Sequence, residues 1–256
     1  MSARSTDTEQ RTSGPTGPRG DGLWNDVLLR EKDPYATAKY EILLQWLGDL
    51  SGQSVLVVGS GSGEFAALLA RSGGRVTAVD IDEHLVALTE ATARRFGVEI
   101  STAVSSLEDL DPGAPYDLVV ATDVIEHILN DEEAVAKLVN LVRRPGRVLI
   151  TVPALQSLFG YHDEILGHHR RYNRRQLRHL VEPSVRIQRL RYFGFFLVPA
   201  ALIVSRWLRR PYPLGPVGEL KEKGGPLGSL LGAFFRLEKR LPLPLGTSLL
   251  LLGSPR

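Results

Sequence analysis

Two groups of residues in this chain have types and spacing suited to chemistry. The first is the run Gly59-Ser60-Gly61-Ser62-Gly63, followed downstream by Asp80. Glycines let a backbone take φ > 0 and bring its amides against a ligand. A carboxylate at the tip of a strand can accept two ribose hydroxyls. The second group is polar: Asp123, Glu126 and His127, then His162, Asp163, Glu164, His168, His169, Arg170 and Arg171. Imidazoles change charge near neutral pH and can act as general bases. The first group points to an adenosine-containing cofactor. The second points to proton transfer or to a solvated connection whose arginines pair with its acids.

The elements around the first group set its geometry. The apolar run Val55 to Val58 reads as a strand ending at Gly59. Phe65, Leu68 and Leu69 repeat with helical spacing. Val76 to Val79 reads as a second strand, ending in Asp80. This strand–turn–helix–strand unit aims helix N–H groups and partial positive charge at a ligand. The dinucleotide fingerprint is G-x-G-x-x-G/A. Here the pattern is G-x-G-x-G, and the sixth position is Glu64. Glutamate suits the helix dipole but repels a pyrophosphate. A phosphate-free adenosine cofactor fits better than NAD, and NAD-dependent oxidoreduction is disfavoured.

The stretches VLVVGSGSGEF (with Asp80), YDLVVATDVIEHI and RPGRVLITVP together resemble the class I S-adenosylmethionine-dependent methyltransferases. Among these, YDLVVATDVIEHI resembles the fourth motif of the small-molecule type, including the quinone O-methyltransferase-like group. The resemblance implies a Rossmann-like α/β fold: a seven-stranded, mostly parallel sheet with helices on both faces. It implies S-adenosylmethionine as cofactor and S-adenosylhomocysteine as product. It places the cofactor on Gly59, Ser60, Gly61, Gly63, Asp80 and Ile81. The adenine would meet the loop of Ser106 and Leu107, and the methionine part would lie near Thr122. The family often carries an acid where Ser106 stands, so Glu108 or backbone groups are alternatives there. The segment Gln156 to Tyr172 is similar to an HD…H-x-RRY stretch of many bacterial methyltransferases, which implies an acceptor-side lid. His127, His162 and His169 are the candidate general bases. O-methylation of a small, apolar or lipid-like molecule is the leading expectation. N- or C-methylation, or a non-methylating reaction on the same fold, is the alternative. Asp123, Glu126 and the nearby histidines match no dedicated metal spacing, so no metal is expected.

Composition sets outer bounds. The chain has 256 residues, 43% hydrophobic and 23% charged, enough for a real core. It has no cysteine, which excludes disulfides and the iron–sulfur radical enzymes. A net charge of +2 argues for no nucleic-acid partner. The polar N-terminus shows no signal peptide, and a cytoplasmic protein is expected.

Three regions follow from patterning. Residues 1–22 should be a disordered tail. Residues 23–191 and 245–256 should form the cofactor-binding domain. Residues 192–244 should be a helical insertion before the last strand. Within the domain, Tyr35 to Leu50 reads as a helix with Tyr40, Leu43, Leu44 and Leu47 on one face. Lys39 or Tyr40 could reach the cofactor's carboxylate; the alternative is a solvated lysine beside a core tyrosine. The insertion has an apolar run in Tyr192 to Leu208, a Pro/Gly-rich loop in Pro211 to Pro226, and a helical stretch in Leu227 to Leu241. The apolar run is shorter than the ~20 residues that span a bilayer and contains Pro199. With Arg206, Trp207, Arg209 and Arg210 beside it, it could touch the inner face of a membrane peripherally. It could also line an apolar acceptor pocket, form a homodimer interface or join the core; monomer and homodimer stay open.

Overall fold

Alternate residues of the central strands enter two different cores, and this decides the layering. Val55 and Val57 face one core and Leu56 and Val58 the other; Leu118 and Val120 alternate likewise with Val119 and Ala121. Strands buried on both faces read as continuous apolar runs and need helices above and below. The computed structural model describes residues 33–256 apart from 112, 114, 209–232 and 236. The polar tail, the Trp24 to Leu29 segment and the Pro211 to Pro226 loop lie outside the described residues.

The elements in order are α1 (Pro34–Leu47), β1 (Ser54–Val58), α2 (Glu64–Arg71), β2 (Arg75–Asp80), α3 (Glu83–Phe96), β3 (Ile100–Val104), β4 (Tyr116–Thr122), α4 (Asp131–Asn140), β5 (Val142–Pro153), α5 (Tyr161–Leu166), α6 (Arg174–Val181), β6 (Val185–Phe193), α7 (Val198–Ala201) and β7 (Ser248–Pro255). The sheet order is β3-β2-β1-β4-β5-β7-β6. Strands β1 to β5 are parallel, and β7 runs antiparallel between β5 and β6. The expected seven-stranded α/β sheet is what the chain builds. Helices α1 and α2 cover one face through Ile42, Leu43, Phe65 and Leu69. Helices α4 and α6 cover the other through Val135, Leu138, Leu177 and Val181. Each such fully buried aliphatic side chain contributes roughly 1.5–3 kcal/mol.

Side-chain caps fix several helix starts: Asp33 before α1, Asp82 before α3, Asn130 before α4 and Asn173 before α6. Each accepts a backbone N–H that the helix leaves unsatisfied. One boundary differs from expectation. RPGRVLITVP reads as a turn at Pro145-Gly146 followed by a strand from Arg147, yet the strand begins at Val142, because Val142 already pairs with Tyr116 before the register jumps to Arg147 opposite Leu118. The Pro145-Gly146 turn is thus a bulge inside β5. The strand order reverses between β1 and β4, since the chain leaves β1 toward β3 and returns on the other side. Ligands of open α/β sheets bind at the carboxyl ends of the strands flanking such a reversal. Among the described residues, no helix is long and apolar enough to cross a membrane.

Candidate active site

A cavity of about 1100 Å³ opens at that reversal. Its floor is the glycine turn after β1. The Gly59 backbone has φ 67°, and a Cβ there would lie 2.5 Å from Val124 Cγ2. Gly63 has φ 79°, and a Cβ there would lie 2.6 Å from Thr89 Cα. Only glycine fits both places. Helix α3 braces the turn from behind. Thr89 Oγ1 donates to Ser60 Oγ at 2.9 Å, and Thr92 Oγ1 donates to the Ser62 carbonyl at 2.8 Å. Asp80, at the end of β2, accepts the Gly61 N–H at 2.9 Å and the Asp82 N–H at 3.1 Å. Asp80 is buried, whereas Ile81 beside it is 76% exposed on the cavity rim. An apolar side chain left open next to a strand-tip carboxylate provides a surface for a flat heterocycle.

Beyond the turn stands a part-buried ion pair. Lys39 Nζ of α1 lies 2.6 Å from Asp123 Oδ2, just past β4. Thr151 Oγ1 donates to the other carboxylate oxygen at 3.0 Å. Asp123 has φ 56°, a left-handed conformation that aspartate tolerates better than most residues. Burial pushes its carboxyl up, but the Lys39 charge and the hydrogen bonds from Lys39 and Thr151 outweigh that and hold it below its usual value. Lys39 is displaced the other way. Burial opposes its charge, yet Asp123 raises its affinity for the proton overall.

Opposite the turn, the two polar stretches of the sequence meet. Glu126, His127 and His168 each present a ligand-type atom, all within 4.8 Å of one another. The His127 and His168 rings stand edge-to-face with centroids 4.7 Å apart. His168 Nδ1 donates to Asp163 Oδ1 at 2.8 Å, and Arg171 Nε donates to the same oxygen at 2.7 Å. The Gly160 N–H donates to Asp163 Oδ2 at 3.0 Å. Glu126 is fully buried, and burial followed by the Asp123 charge pushes its carboxyl well above the usual range. Burial and then the neighbouring His168 hold the His127 imidazole below its ordinary value. The cavity continues past this cluster onto an apolar wall of Leu166, Leu197, Ala200, Ala201, Val204 and Phe235.

The family model described as "Methyltransferase domain" matches residues 29–184, more than half of the chain. The chain belongs to this methyltransferase family. Among curated proteins, the chain is similar to the ubiquinone biosynthesis O-methyltransferase of Rickettsia conorii, 35% identical over 103 residues. That match covers 40% of this chain and 36% of the relative. The matched stretch thus spans less than half the length of these curated relatives. Among solved structures it is similar to magnesium protoporphyrin IX methyltransferase from Synechocystis with bound SAH (S-adenosylhomocysteine). The TM-score is 0.56 at 20% identity, covering 68% of this chain and 87% of that one. It is also similar to the [4+2]-cyclase SpnF, with a TM-score of 0.57 at 15% identity, covering 86% and 80%. At these identities the structures speak for the fold.

The methyl donor of the family is S-adenosylmethionine, and the cavity has parts that suit it. The glycine turn lets a ligand approach the backbone closely, Asp80 retains acceptor capacity for a ribose beyond the Gly61 and Asp82 N–H groups, and Ile81 offers the apolar rim. Gly59, Ser60, Gly61, Asp80, Ile81, Ser106, Leu107 and Thr122 all line this cavity. Gly63 does not line it; the close approach to Thr89 accounts for that glycine. The Ser106 hydroxyl donates to Asp109 Oδ2 at 2.7 Å, so its hydrogen is already engaged. Of the two readings of Lys39, the solvated lysine does not fit, since the side chain is buried against Asp123; Lys39 and Tyr40 both line the cavity. His127, His162 and His169 all line the cavity. His168, also a candidate base by residue type, has its orientation constrained by Asp163. Asp163, in the same polar stretch, was its sequence signal. The expectation that no metal spacing exists took neighbours along the chain; the fold instead joins Glu126 and His127 to His168.

Proposed function

We propose that the chain transfers a methyl group from S-adenosylmethionine to an oxygen of a small, largely apolar acceptor. The observation that carries this reading is the continuity of the cavity. One space runs from the glycine turn, past the Glu126–His127–His168 cluster, to the apolar wall. Its ~1100 Å³ is at the upper end of ordinary ligand pockets, which suits two ligands rather than one. When bound, S-adenosylmethionine supplies a methyl group already activated by its sulfonium. Gly59, Ser60, Gly61, Asp80, Ile81, Leu107 and Thr122 would hold that donor, and the protein's main task is then to orient the acceptor. A hydroxyl acceptor must lose a proton, and His127, His162 and His169 face the same space as candidate receivers. Leu197, Ala200, Ala201, Val204 and Phe235 would receive the apolar part. The limited match to ubiquinone O-methyltransferases supports oxygen over nitrogen or carbon. We further assign residues 192–244 a lid or membrane-contact role: Leu197, Val204 and Phe235 line the cavity, while Ile203, Leu208, Leu237 and Leu241 are exposed.

The cyclase among the structural neighbours keeps a second reading open, a donor-binding protein that does not methylate, because a fold does not fix a reaction. Incubation with methyl-labelled S-adenosylmethionine and a panel of alkyl-substituted phenols and catechols separates the two. The expected result is a labelled methyl ether with equal S-adenosylhomocysteine. Donor binding with no labelled product and no S-adenosylhomocysteine would favour the second reading.

A further inference from the structure

Three hydroxyls meet in the cavity on the side away from Asp80. Tyr35 Oη lies 2.7 Å from Ser248 Oγ and 3.1 Å from Thr247 Oγ1, and all three residues line the cavity. Ser248 opens β7 and pairs with Pro153, the last residue of β5, so the group sits at the carboxyl end of the parallel strands. From β2, which ends in Asp80, the sheet runs through β1, β4 and β5 to β7. Those four strand spacings amount to roughly 19 Å. The group is therefore remote from the ribose position, and Leu197, Ala201 and Phe235 share its part of the lining. Its members are held firmly. The Tyr35 ring packs on Phe193 and Phe235, with centroids 4.9 and 6.0 Å away, and the Tyr35 N–H donates to Asp33 Oδ1 at 2.9 Å. Gly194, at φ 85°, lets the end of β6 close on the group; a Cβ there would overlap Thr247 Oγ1 and lie 2.8 Å from Tyr35 Cε2.

Each hydroxyl carries one hydrogen to donate. Three hydrogens serve the two bonds within the group, and among the described residues no other side chain or carbonyl accepts the third. Burial outweighs the nearby Lys39 charge and holds the Tyr35 phenol above its usual value, so the phenol stays protonated and keeps its hydrogen. A spare O–H beside an apolar wall costs free energy unless an oxygen meets it. The group has no charge of its own, and the Lys39 ammonium is taken by Asp123, so a neutral oxygen suits it better than an anion. We propose that Tyr35, Thr247 and Ser248 form a recognition site for a second oxygen of the acceptor, a carbonyl or ether other than the hydroxyl that is methylated. This assignment rests on the methyltransferase reading. Held at that oxygen, an otherwise apolar acceptor keeps one orientation and presents one hydroxyl to the donor.

The test compares a 4-alkylphenol with its derivatives carrying one acetyl or one methoxy group at each ring position. Labelled methyl transfer by the full chain gives kcat/KM for each. The expected result is a preference of about 3–10-fold for at least one oxygenated acceptor over the plain phenol, expressed mainly in KM. Tyr35→Phe breaks both bonds of the group and lowers the ratio. The triple variant Tyr35→Phe/Thr247→Val/Ser248→Ala removes every hydroxyl and brings it to 1, whereas Ser101→Ala on the far edge strand β3 leaves it unchanged. Removing all three hydroxyls together strands no partner, which favours a folded protein, and circular dichroism checks this. No preference in the wild type, or a preference that survives the triple variant, overturns the site. If the triple variant does not fold, an unchanged ratio in Tyr35→Phe overturns it instead. If no phenol is methylated, the methyltransferase reading fails by itself, and calorimetric titration of the same phenols with S-adenosylhomocysteine present decides the site from the ratio of their Kd values.

Discussion

Replacing Asp123 by alanine is expected to cost the fold about 3–5 kcal/mol, far more than replacing its partner Lys39 by methionine. The asymmetry comes from what each change leaves behind. The Lys39 side chain is 8% exposed and that of Asp123 is 38% exposed. Without Asp123, an ammonium is stranded in the interior, and stranded buried charges cost about 3–5 kcal/mol. Alanine must also hold the left-handed backbone at φ 56°, a strain of the order of 1 kcal/mol. Without Lys39, the carboxylate still meets cavity water and Thr151 Oγ1, so a loss of only about 1–2 kcal/mol is expected after solvent screening. Urea denaturation of the two variants checks the order. The pair also sets a pH window. The Asp123 carboxyl is held below its unfolded value, so its contribution is present above about pH 4 and fades as pH falls through the folded value. The Lys39 ammonium is raised, so its contribution is complete below about pH 10 and fades as pH climbs past that. Asp123→Asn should therefore flatten the acid limb of the stability profile. An acid limb as steep as wild type would remove Asp123 as its source.

Asp163→Ala should be comparably damaging, by about 3–5 kcal/mol. The carboxylate is 0% exposed and takes donors from His168, Arg171 and the Gly160 N–H. Its loss would leave the Arg171 guanidinium, 4% exposed, with much less compensation. Asp163→Asn keeps an acceptor for the Gly160 N–H and should cost less, about 1–3 kcal/mol for the lost charge-assisted bonds. Equal stability of Asp163→Ala and wild type in denaturant would mean that the Asp163–Arg171–His168 arrangement does not form.

The donor side was legible because its signals are local. Glycine spacing, an apolar run and a strand-tip acid fall within Ser54 to Asp80, and their geometry follows from adjacent chain. The two-faced strands were legible for the same reason: Val55 to Val58 is apolar throughout. Lys39 was not. A lysine on an amphipathic helix reads as solvated, and only the fold brings it to Asp123. The Glu126–His127–His168 cluster depends on β5 and α5 folding the second polar stretch back over the first. The positive φ of Leu155 left no mark in residue type. Thr89 and Thr92 read as ordinary helix positions, yet they brace the glycine turn.

The central claim is that this turn and Asp80 hold S-adenosylmethionine. Calorimetric titration of the full chain with S-adenosylmethionine, S-adenosylhomocysteine and NAD tests it most directly. One-to-one binding of the sulfonium and its thioether product is expected, with no binding of NAD. Asp80→Ala, verified as folded by thermal melting, should weaken donor binding ~10–100-fold, the loss of charge-assisted hydrogen bonds worth about 1.5–3 kcal/mol. NAD bound tightly with no binding of S-adenosylmethionine, or donor affinity untouched in Asp80→Ala, would contradict the account.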